Sequence, residues 1–281
     1  MVVRLLLVHQ IIMKHLGRFA GLTLRRTLRT RDRLFRACDK YLGSAPKAVV
    51  LVYHRVADLA SDPLFLAVRP ETFESHVRAL KERFEIVSAQ ELINRIKHHA
   101  LKGKELAITF DDGYKDNMTE ALPIAEKYQV PITIFITTGI FDSAAPFSWD
   151  GMYGNTSGTY LNKEEAAELA RNPVVTIGSH TVHHPRLRDL SPEAQQSEIG
   201  DAKAALESII GKPVQFCAYP FGGHLDINSA SKKAARGTGH EAAFTTVERT
   251  VGHSSSPFSL PRINIREMSA EKLLEKIRHF K

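Results

Sequence analysis

Short apolar runs alternate with longer amphipathic stretches from residue 46 to the end of the chain. The runs predict buried strands, and the stretches, whose apolar residues recur every three or four positions, predict helices packed on them. About seven strand–helix repeats fit this pattern, which favours a distorted (β/α) barrel over an open sheet. The sequence therefore predicts an α/β fold for residues 46–281.

Residues 1–45 do not follow this alternation, because arginines interrupt their apolar residues throughout. Such a pattern predicts a basic amphipathic helical arm that can lie on an anionic membrane surface. A helix packed on the barrel and a partly disordered leader are the alternatives. The first apolar run is too short to span a bilayer and no clear cleavage site follows it. We therefore expect a protein that is cytoplasmic or peripheral at the cytoplasmic membrane, with export as the alternative.

Charge also separates the arm from the rest of the chain. Residues 1–45 carry ten Lys or Arg and two Asp, which accounts for the whole net charge of +7 and leaves residues 46–281 nearly neutral. Nucleic-acid binding is therefore not expected. The two cysteines, Cys38 and Cys217, lie in unrelated contexts, which predicts free thiols and no disulfide framework.

The apolar run at 106–110 ends in two adjacent carboxylates and a glycine, Asp111, Asp112 and Gly113. A helical stretch and another apolar run at 131–137 follow, so the pattern is that of a β-α-β unit. Acidic residues at the carboxyl end of a parallel strand lie where α/β enzymes hold their catalytic groups. Adjacent side chains on an extended backbone point in opposite directions, so the two carboxylates are expected to have different roles. The alternative is a solvated turn.

A histidine cluster follows a second apolar run, at 174–177. It contains His180, His183 and His184 and ends at Pro185, which disfavours a helix at His184 and predicts a turn. Two histidines four residues apart, with a carboxylate from elsewhere, form the ligand set that a catalytic zinc ion prefers. The alternative is three surface histidines, which is weaker because two polar clusters each follow an apolar strand.

These two motifs resemble those of the polysaccharide deacetylase family, also called the NodB homology domain and carbohydrate esterase family 4-like. They are TFDDG at 109–113 and HTVHHP at 180–185; YHRV at 53–56, WD at 149–150, YPFG at 219–222 and LPR at 260–262 resemble one branch of the family. The resemblance covers most of the chain beyond the arm. It implies a distorted (β/α) barrel that removes N-acetyl groups from amino sugars with a divalent metal.

In this resemblance Asp112, His180 and His184 match the family's metal ligands. Asp111 matches its general base, a carboxylate that takes the proton of the attacking water. The implied cofactor is a divalent metal, with Zn²⁺ as the expected ion and cobalt, nickel or iron as alternatives. His183 stands where the family usually has a small polar residue, so we expect it beside the site or on the surface.

Three aromatic residues are expected on the substrate side. Phe221 matches the position whose backbone N–H helps to hold the tetrahedral oxyanion, and Tyr219 belongs to the same motif. Trp149 lies in a long segment, about residues 138–161, and a loop of this length in a compact domain is usually functional. The indole is expected either to pack on a sugar face or to anchor the loop.

The sequence departs from the family pattern in two places. Ala218 stands where the family's best-known members have an arginine that orients the base, and the C-terminal Leu-x-His that supplies a general acid is absent. We expect Arg262, at the end of the last strand, to replace the arginine. We expect His54, at the end of the first strand, to be the acid or a substrate contact, with His253 as a second candidate acid. The alternatives are that His54 caps a strand end and that Arg262 pairs with a surface carboxylate.

Three functions from different classes are compatible with these residues. The first is a metal-dependent deacetylase of an N-acetylated polysaccharide, glycan or glycolipid of the cell envelope. The second hydrolyses another carbon–nitrogen amide bond on the same fold. The third is a catalytically silent glycan-binding protein. Asp111 favours an enzyme, because a binding protein needs no base beside a metal, whereas the missing arginine and histidine favour the third function.

Overall fold

The computed structural model describes residues 45–141, 147, 149 and 159–280. The arm, except for its last residue, lies outside the described residues, as do Cys38 and most of the long loop around Trp149. The arm helix and its membrane contact therefore stay predictions. In the described part of the chain, no helix is both long and apolar enough to cross a membrane.

The strands of the described residues form one main sheet and one small pair. In chain order they are β1 (Val49–Tyr53), β2 (Arg55–Val56), β3 (Ala67–Val68), β4 (Glu85–Ile86), β5 (Glu105–Phe110), β6 (Ile132–Ile136), β7 (Val175–Ser179), β8 (Phe216–Ala218), β9 (Ala242–Phe244) and β10 (Ile263–Asn264). Parallel pairing gives the order β10-β1-β5-β6-β7-β8-β9, and β4 pairs with the start of β5. β2 and β3 pair separately, beyond the end of β1.

Helices alternate with these strands. They are α1 (Pro70–Arg83), α2 (Ala89–Lys97), α3 (Leu122–Tyr128), α4 (Lys163–Leu169), α5 (Pro192–Ile210), α6 (Ser229–Gly237) and α7 (Ala270–Phe280), and a π-helical turn, Asn117–Ala121, leads into α3. Local signals set their ends. Ser191 caps α5 by accepting a hydrogen bond from the Ala194 N–H, Pro192 stands at its first position, and Gly211 ends it in the left-handed conformation.

The two faces of the sheet enter different hydrophobic clusters. β1, β5 and β6 are buried along their whole length, as expected for parallel strands covered on both faces. On one face Leu51 packs in a cluster with Phe73 of α1. On the other face Val50 joins Phe135 and Phe244 inside the barrel. Cys217 in β8 is a buried free thiol, as predicted.

The barrel closes through the segment between β9 and β10. Leu260 pairs with Phe244 of β9, and Ile263 then pairs with Leu51 of β1. Arg262 lies within this crossing and precedes β10, so the prediction that it ends the last strand is wrong. The physical reason is that one apolar run changes its sheet neighbour halfway along. The predicted distorted barrel of about seven strands is confirmed.

Gly178 in β7 leaves room for an aromatic ring of the barrel interior. A Cβ on Gly178 would lie 2.5 Å from Cε1 of Phe135 and 3.1 Å from the carbonyl oxygen of Phe216. Both neighbours are fully buried. Because interiors are close-packed, neither can make room without a shift of the strands.

We expect Gly178→Ala to lower the free energy of unfolding by roughly 1–3 kcal/mol, since the added methyl group overpacks the barrel interior. Gly252→Ala is the matched control, because a Cβ at Gly252 meets nothing within 4 Å. Urea unfolding of the two variants measures the difference. Equal stability of both variants would contradict the packing described here.

Candidate metal centre

The carboxyl ends of neighbouring strands bring the polar motifs together. Asp111 directly follows β5, His180 directly follows β7, and His54 directly follows β1. These strands are parallel members of one sheet, so their carboxyl ends lie at the same end of the barrel. The segments at 109–113 and 180–185 thereby meet.

Asp112, His180 and His184 form a group that can hold a metal ion. Their ligand atoms all lie within 4.8 Å of one another. Oδ1 of Asp112 is 3.4 Å from Nε2 of His180 and 3.3 Å from Nε2 of His184. Ligands bound at about 2.0–2.1 Å to a tetrahedral ion lie about 3.3 Å apart, so both distances fit this coordination.

The hydrogen bond at Nδ1 of His180, the ring nitrogen that does not face Asp112, shows whether the ring can bind a metal ion. Nδ1 of His180 donates to the carbonyl oxygen of Ala218 over 2.8 Å, because a carbonyl can only accept. Nε2 of the neutral ring then turns a lone pair toward the Asp112 carboxylate, which is unfavourable unless a proton or a cation lies between them. Two imidazole nitrogens and one carboxylate oxygen form a three-ligand set typical of a catalytic zinc site. The residues therefore fit the divalent metal that the motifs imply.

The pKa values of Asp112 and His180 also favour a cation in this group. Burial alone would raise the pKa of Asp112, but hydrogen bonds from His180 and His184 hold that pKa well below its usual range. Burial lowers the pKa of His180, while the carboxylates of Asp111 and Asp112 raise it, and the net effect is a raised pKa. The Asp112 carboxylate is therefore ionised, and its negative charge favours a cation among the ligand atoms, either a proton on His180 or a bound metal ion.

Left-handed backbone shapes the turns that carry the ligands. Asp112, Thr181 and His184 have φ of 77°, 67° and 56°. Each such conformation costs a non-glycine residue on the order of 1–3 kcal/mol, and this strain clusters at functional sites. A hydrogen bond of 3.1 Å from the His184 N–H to Oγ1 of Thr181 closes the second turn. His184 is buried as a result, whereas the His183 side chain is 74% exposed.

Aromatic rings surround His184. The ring centroids of Phe147, Trp149 and Phe221 lie 5.4, 5.0 and 4.9 Å from its own. Nδ1 of His184 is buried without a hydrogen-bond partner among the described residues. The indole Nε1 of Trp149 donates to the hydroxyl of Tyr114 over 3.2 Å, and Phe147 stacks on the indole. Trp149 is therefore held in place as one wall of the site.

A buried ion pair adjoins the metal ligands. Both oxygens of Asp111 accept hydrogen bonds of 2.7 Å from the guanidinium of Arg262, and both residues are buried. Arg262 also donates to Oγ1 of Thr109 over 3.1 Å and to the carbonyl oxygen of Thr245 over 3.0 Å. The alternative that Arg262 pairs with a surface carboxylate is therefore excluded.

The ion pair sets the protonation of Asp111. Burial raises the pKa of Asp111, but the positive charges of Arg262 and His180 and the hydrogen bonds from Arg262 lower it, and the net pKa lies below its usual value. The carboxylate is thus ionised at neutral pH. The bidentate contact fixes its orientation, and each oxygen keeps a second lone pair that can accept a proton.

The residues after the Asp-Asp-Gly turn hold the segment that carries His54. Nδ2 of Asn117 donates to the carbonyl oxygen of His54 over 2.9 Å. Asp116 accepts hydrogen bonds from the Val56 N–H, over 3.0 Å, and from Nε of Arg55, over 2.8 Å. The end of β1 and the start of the π-helical turn therefore form one hydrogen-bonded unit.

The protonation of His54 bears on its role. Burial lowers the pKa of His54, and the lowering outweighs the opposite effects of Asp112 and Asp111. The ring is therefore neutral at neutral pH. A neutral ring favours a substrate contact or a proton relay over an acid that is protonated before the reaction begins.

His253 lies at the opposite end of the barrel. Val251, two residues before it, pairs with Ala48, which precedes β1, and the His253 ring lies 5.1 Å from that of His99. His54 is at the other end of β1, whose five residues span roughly 16 Å. The prediction of His253 as a candidate acid is therefore wrong, because the chain returns to the amino ends of the strands before it reaches this residue.

The two aromatic residues of the 219–222 motif, Tyr219 and Phe221, have different surroundings. Phe221 has φ of 59° and is 46% exposed, and its N–H has no hydrogen-bond acceptor among the described residues. Tyr219 is fully buried, and its hydroxyl donates to the carbonyl oxygen of Phe258 over 3.2 Å. The predicted substrate contact of Tyr219 is wrong, because its ring packs in the core with Leu187 and Ile199.

Several supporting residues had no role in the sequence analysis. Thr109, Asp116 and Asn117 flank the Asp-Asp-Gly motif, and their closeness to it is the signal that could have found them. Glu198 on α5 accepts a hydrogen bond from the Val182 N–H over 3.0 Å, between the two histidine ligands. Nothing in the sequence around Glu198 marks this contact.

Comparison with known proteins relates this centre to a family. The profile of the family described as polysaccharide deacetylase matches residues 98–243, just over half of the chain. YxkH of Bacillus subtilis (strain 168), named as a polysaccharide deacetylase, is 28% identical over 223 residues, which are 78% of this chain and 71% of that protein. The poly-β-1,6-N-acetyl-D-glucosamine N-deacetylase of Staphylococcus aureus is 23% identical over 250 residues, which are 82% of either chain.

Solved structures share the fold. The deacetylase PplD of Streptococcus pyogenes, in complex with acetate, is 26% identical and has a TM-score of 0.69, with 83% of this chain and 98% of that chain covered. BC0361, a polysaccharide deacetylase from Bacillus cereus, has a TM-score of 0.69 at 22% identity, with 83% and 70% covered. The profile match over more than half of its length shows that the chain belongs to the polysaccharide deacetylase family, whose members are hydrolases of non-peptide carbon–nitrogen bonds.

Proposed function

We propose that this chain removes N-acetyl groups from amino sugars of a polysaccharide, glycan or glycolipid, with one divalent metal ion held by Asp112, His180 and His184. The observation that carries the proposal is the convergence of these ligand atoms within 4.8 Å. Zinc is the expected ion, because two imidazoles and one carboxylate in a three-ligand set suit it best. Cobalt, nickel and iron are the alternatives.

Each residue of the site has its own role in the proposed reaction. When bound, the ion supplies Lewis-acid polarisation of the acetamide carbonyl and activation of a water molecule. Asp111 takes the proton of that water as it attacks the carbonyl carbon. Arg262 keeps Asp111 ionised and fixes its orientation through the bidentate contact. The Phe221 N–H donates to the carbonyl oxygen as negative charge develops on it.

The proton taken by Asp111 must reach the nitrogen of the departing amine. We propose that His54 relays it, because a neutral imidazole can accept a proton on one nitrogen and donate from the other. The same ring can hydrogen-bond the substrate before the reaction. The aromatic wall of Phe147, Trp149 and Phe221 offers an apolar face on which a sugar ring can pack.

The buried pair of Asp111 and Arg262 favours an enzyme over a silent glycan-binding protein. A binding protein gains little from an ionised carboxylate that is buried beside a metal ion and oriented by two hydrogen bonds. A hydrolase of another amide bond would keep the same ion and base. Acetate release from acetylated amino-sugar oligomers separates these two enzyme functions, since the second produces none.

We expect about one zinc-like ion per chain in the purified protein and a loss of that ion in His180→Ala, because catalytic sites of this type have three protein ligands. His183→Ala is the matched control, since its side chain is 74% exposed and outside the ligand group. Elemental analysis of the three proteins measures the metal content. A wild-type protein without metal, even after reconstitution, would refute the proposed centre.

We expect Arg262→Ala to move the acidic limb of the pH dependence of kcat/KM to higher pH. The variant loses the charge and hydrogen bonds that lower the pKa of Asp111 but keeps the burial that raises it. A larger fraction of Asp111 is then protonated at neutral pH, and its orientation is lost. Activity at neutral pH should therefore fall by on the order of 10²-fold, the lower end of the rate contribution of a positioned base.

Arg262→Lys keeps the charge but not the bidentate contact, so its acidic limb should lie between those of wild type and Arg262→Ala. Metal content, measured in parallel, should stay at the wild-type level in both variants. Identical acidic limbs in all three proteins would show that Arg262 does not control the base.

We also propose that the basic arm holds the enzyme peripherally at an anionic cytoplasmic membrane surface, near a glycan of the cell envelope, with export as the alternative. The concentration of positive charge in residues 1–45 supports this. The full chain should sediment with phosphatidylglycerol vesicles and be released by salt. Equal sedimentation with neutral phosphatidylcholine vesicles would contradict an electrostatic contact.

A further inference from the structure

One carboxylate on α5 reaches the backbone between the two histidine ligands. Oε2 of Glu198 accepts hydrogen bonds from the N–H groups of Val182, over 3.0 Å, and His183, over 2.9 Å. Oε1 of Glu198 lies 2.7 Å from Nδ1 of His183. The Glu198 side chain is only 15% exposed. Neither Val182 nor His183 belongs to the ligand group, so these bonds act on the path of the chain between its members.

The turn is also held from its other side. The carbonyl oxygens of Thr181 and Val182 accept hydrogen bonds from the N–H groups of Thr138, over 3.1 Å, and Gly139, over 2.8 Å. A Cβ on Gly139 would lie 2.5 Å from the Val182 carbonyl oxygen, so a glycine is required for this approach. The peptide groups of the turn are therefore clamped between α5 and the segment that follows β6.

This clamp opposes a backbone that is strained by itself. Thr181 and His184 both have left-handed φ, a region that is unfavourable for a β-branched residue in particular. Without fixed partners for the intervening N–H groups, the turn would relax toward ordinary conformations. The relaxation would carry Nε2 of His184 away from Oδ1 of Asp112, which now lies 3.3 Å from it.

The two histidine ligands differ in how their rings are oriented. His180 has its own hydrogen bond from Nδ1 to the carbonyl oxygen of Ala218. Nδ1 of His184 has no such partner within the described part of the chain. The His184 ring is therefore positioned mainly by the backbone of its turn, whereas the His180 ring is also held by its own hydrogen bond.

We propose that Glu198 is a positioning residue of the metal centre: its carboxylate fixes the turn at 181–184 so that His184 can bind the ion. Glu198 itself is neither a ligand nor a catalytic residue. The proposal deepens the proposed function and rests on it, because it assumes that Asp112, His180 and His184 hold a metal.

The test measures zinc affinity with zinc alone as the probe. Metal-free wild type, Glu198→Ala, Glu198→Gln and His183→Ala are titrated in competition with a chromogenic chelator. We expect Glu198→Ala to bind zinc on the order of 10-fold more weakly, the lower range for residues that orient a ligand from outside the coordination shell. Glu198→Gln keeps an acceptor oxygen for the two N–H groups and should bind nearly as well as wild type. His183→Ala removes only the contact between the imidazole ring and Glu198, so it should also bind zinc nearly as well as wild type.

If Glu198→Ala folds poorly, the zinc affinity of Glu198→Asp provides a second test. It keeps the negative charge but draws the carboxylate back by one methylene group, so it should also weaken zinc binding. Thermal unfolding of the metal-free proteins separates positioning from stability alone. A purely structural role would lower the melting temperature of Glu198→Ala without changing its zinc affinity.

The outcomes distinguish this proposal from the proposed function. Unchanged zinc affinity in Glu198→Ala and Glu198→Asp, with tight binding by wild type, would overturn the positioning role alone. Absence of zinc binding by the wild-type protein would overturn the metal centre, and the role of Glu198 with it. Weaker binding in both variants, with recovery in Glu198→Gln, supports the proposal.

Discussion

The bidentate ion pair between Asp111 and Arg262 is the interaction on which the protonation and orientation of the proposed base depend. Asp111 directly follows β5, and Arg262 lies in the crossing that joins the last part of the sheet to β1. One buried interaction therefore links the end of β5 to the segment that closes the barrel, and it orients the proposed base. Removing one partner of such a pair costs about 3–5 kcal/mol, because it leaves a buried charge uncompensated. Ala218 stands where the resemblance leads us to expect an arginine, and Arg262 contacts the Asp111 carboxylate from another part of the chain instead.

The neighbouring carboxylate has different partners. No arginine bonds to Asp112 in the described structure; its partners there are the imidazoles of His180 and His184. A divalent ion between these three groups would compensate the buried negative charge, as Arg262 does for Asp111. Two adjacent residues of one chemical type thus have different partners because their surroundings differ. Left-handed backbone at Asp112 directs it away from the path of the strand and toward the histidines.

The parts of this structure that depend on local pattern could be predicted from the sequence. Apolar runs marked the strands, and the polar motifs that follow β5 and β7 meet because parallel strands share an end. Features that depend on long-range pairing could not be predicted. The run that contains Arg262 reads as one strand but changes neighbour at Leu260, and the segment before His253 returns to the amino end of β1. Tyr219 and Phe221 belong to one short motif, yet one side chain packs in the core and the other is exposed. Glu198 reaches the metal-ligand turn from a helix whose sequence shows only an ordinary amphipathic surface.

We propose that an ionised, buried Asp111 acts as the base beside a metal held by Asp112, His180 and His184. The most direct test is acetate release from an N-acetylglucosamine oligomer by wild type and Asp111→Asn, each shown by elemental analysis to carry its metal. We predict that wild type releases acetate, that a chelator stops the release, and that zinc restores it. Metal-loaded Asp111→Asn should be slower by at least about 10²-fold, the usual contribution of a positioned base. Wild-type rates in metal-loaded Asp111→Asn would contradict the account.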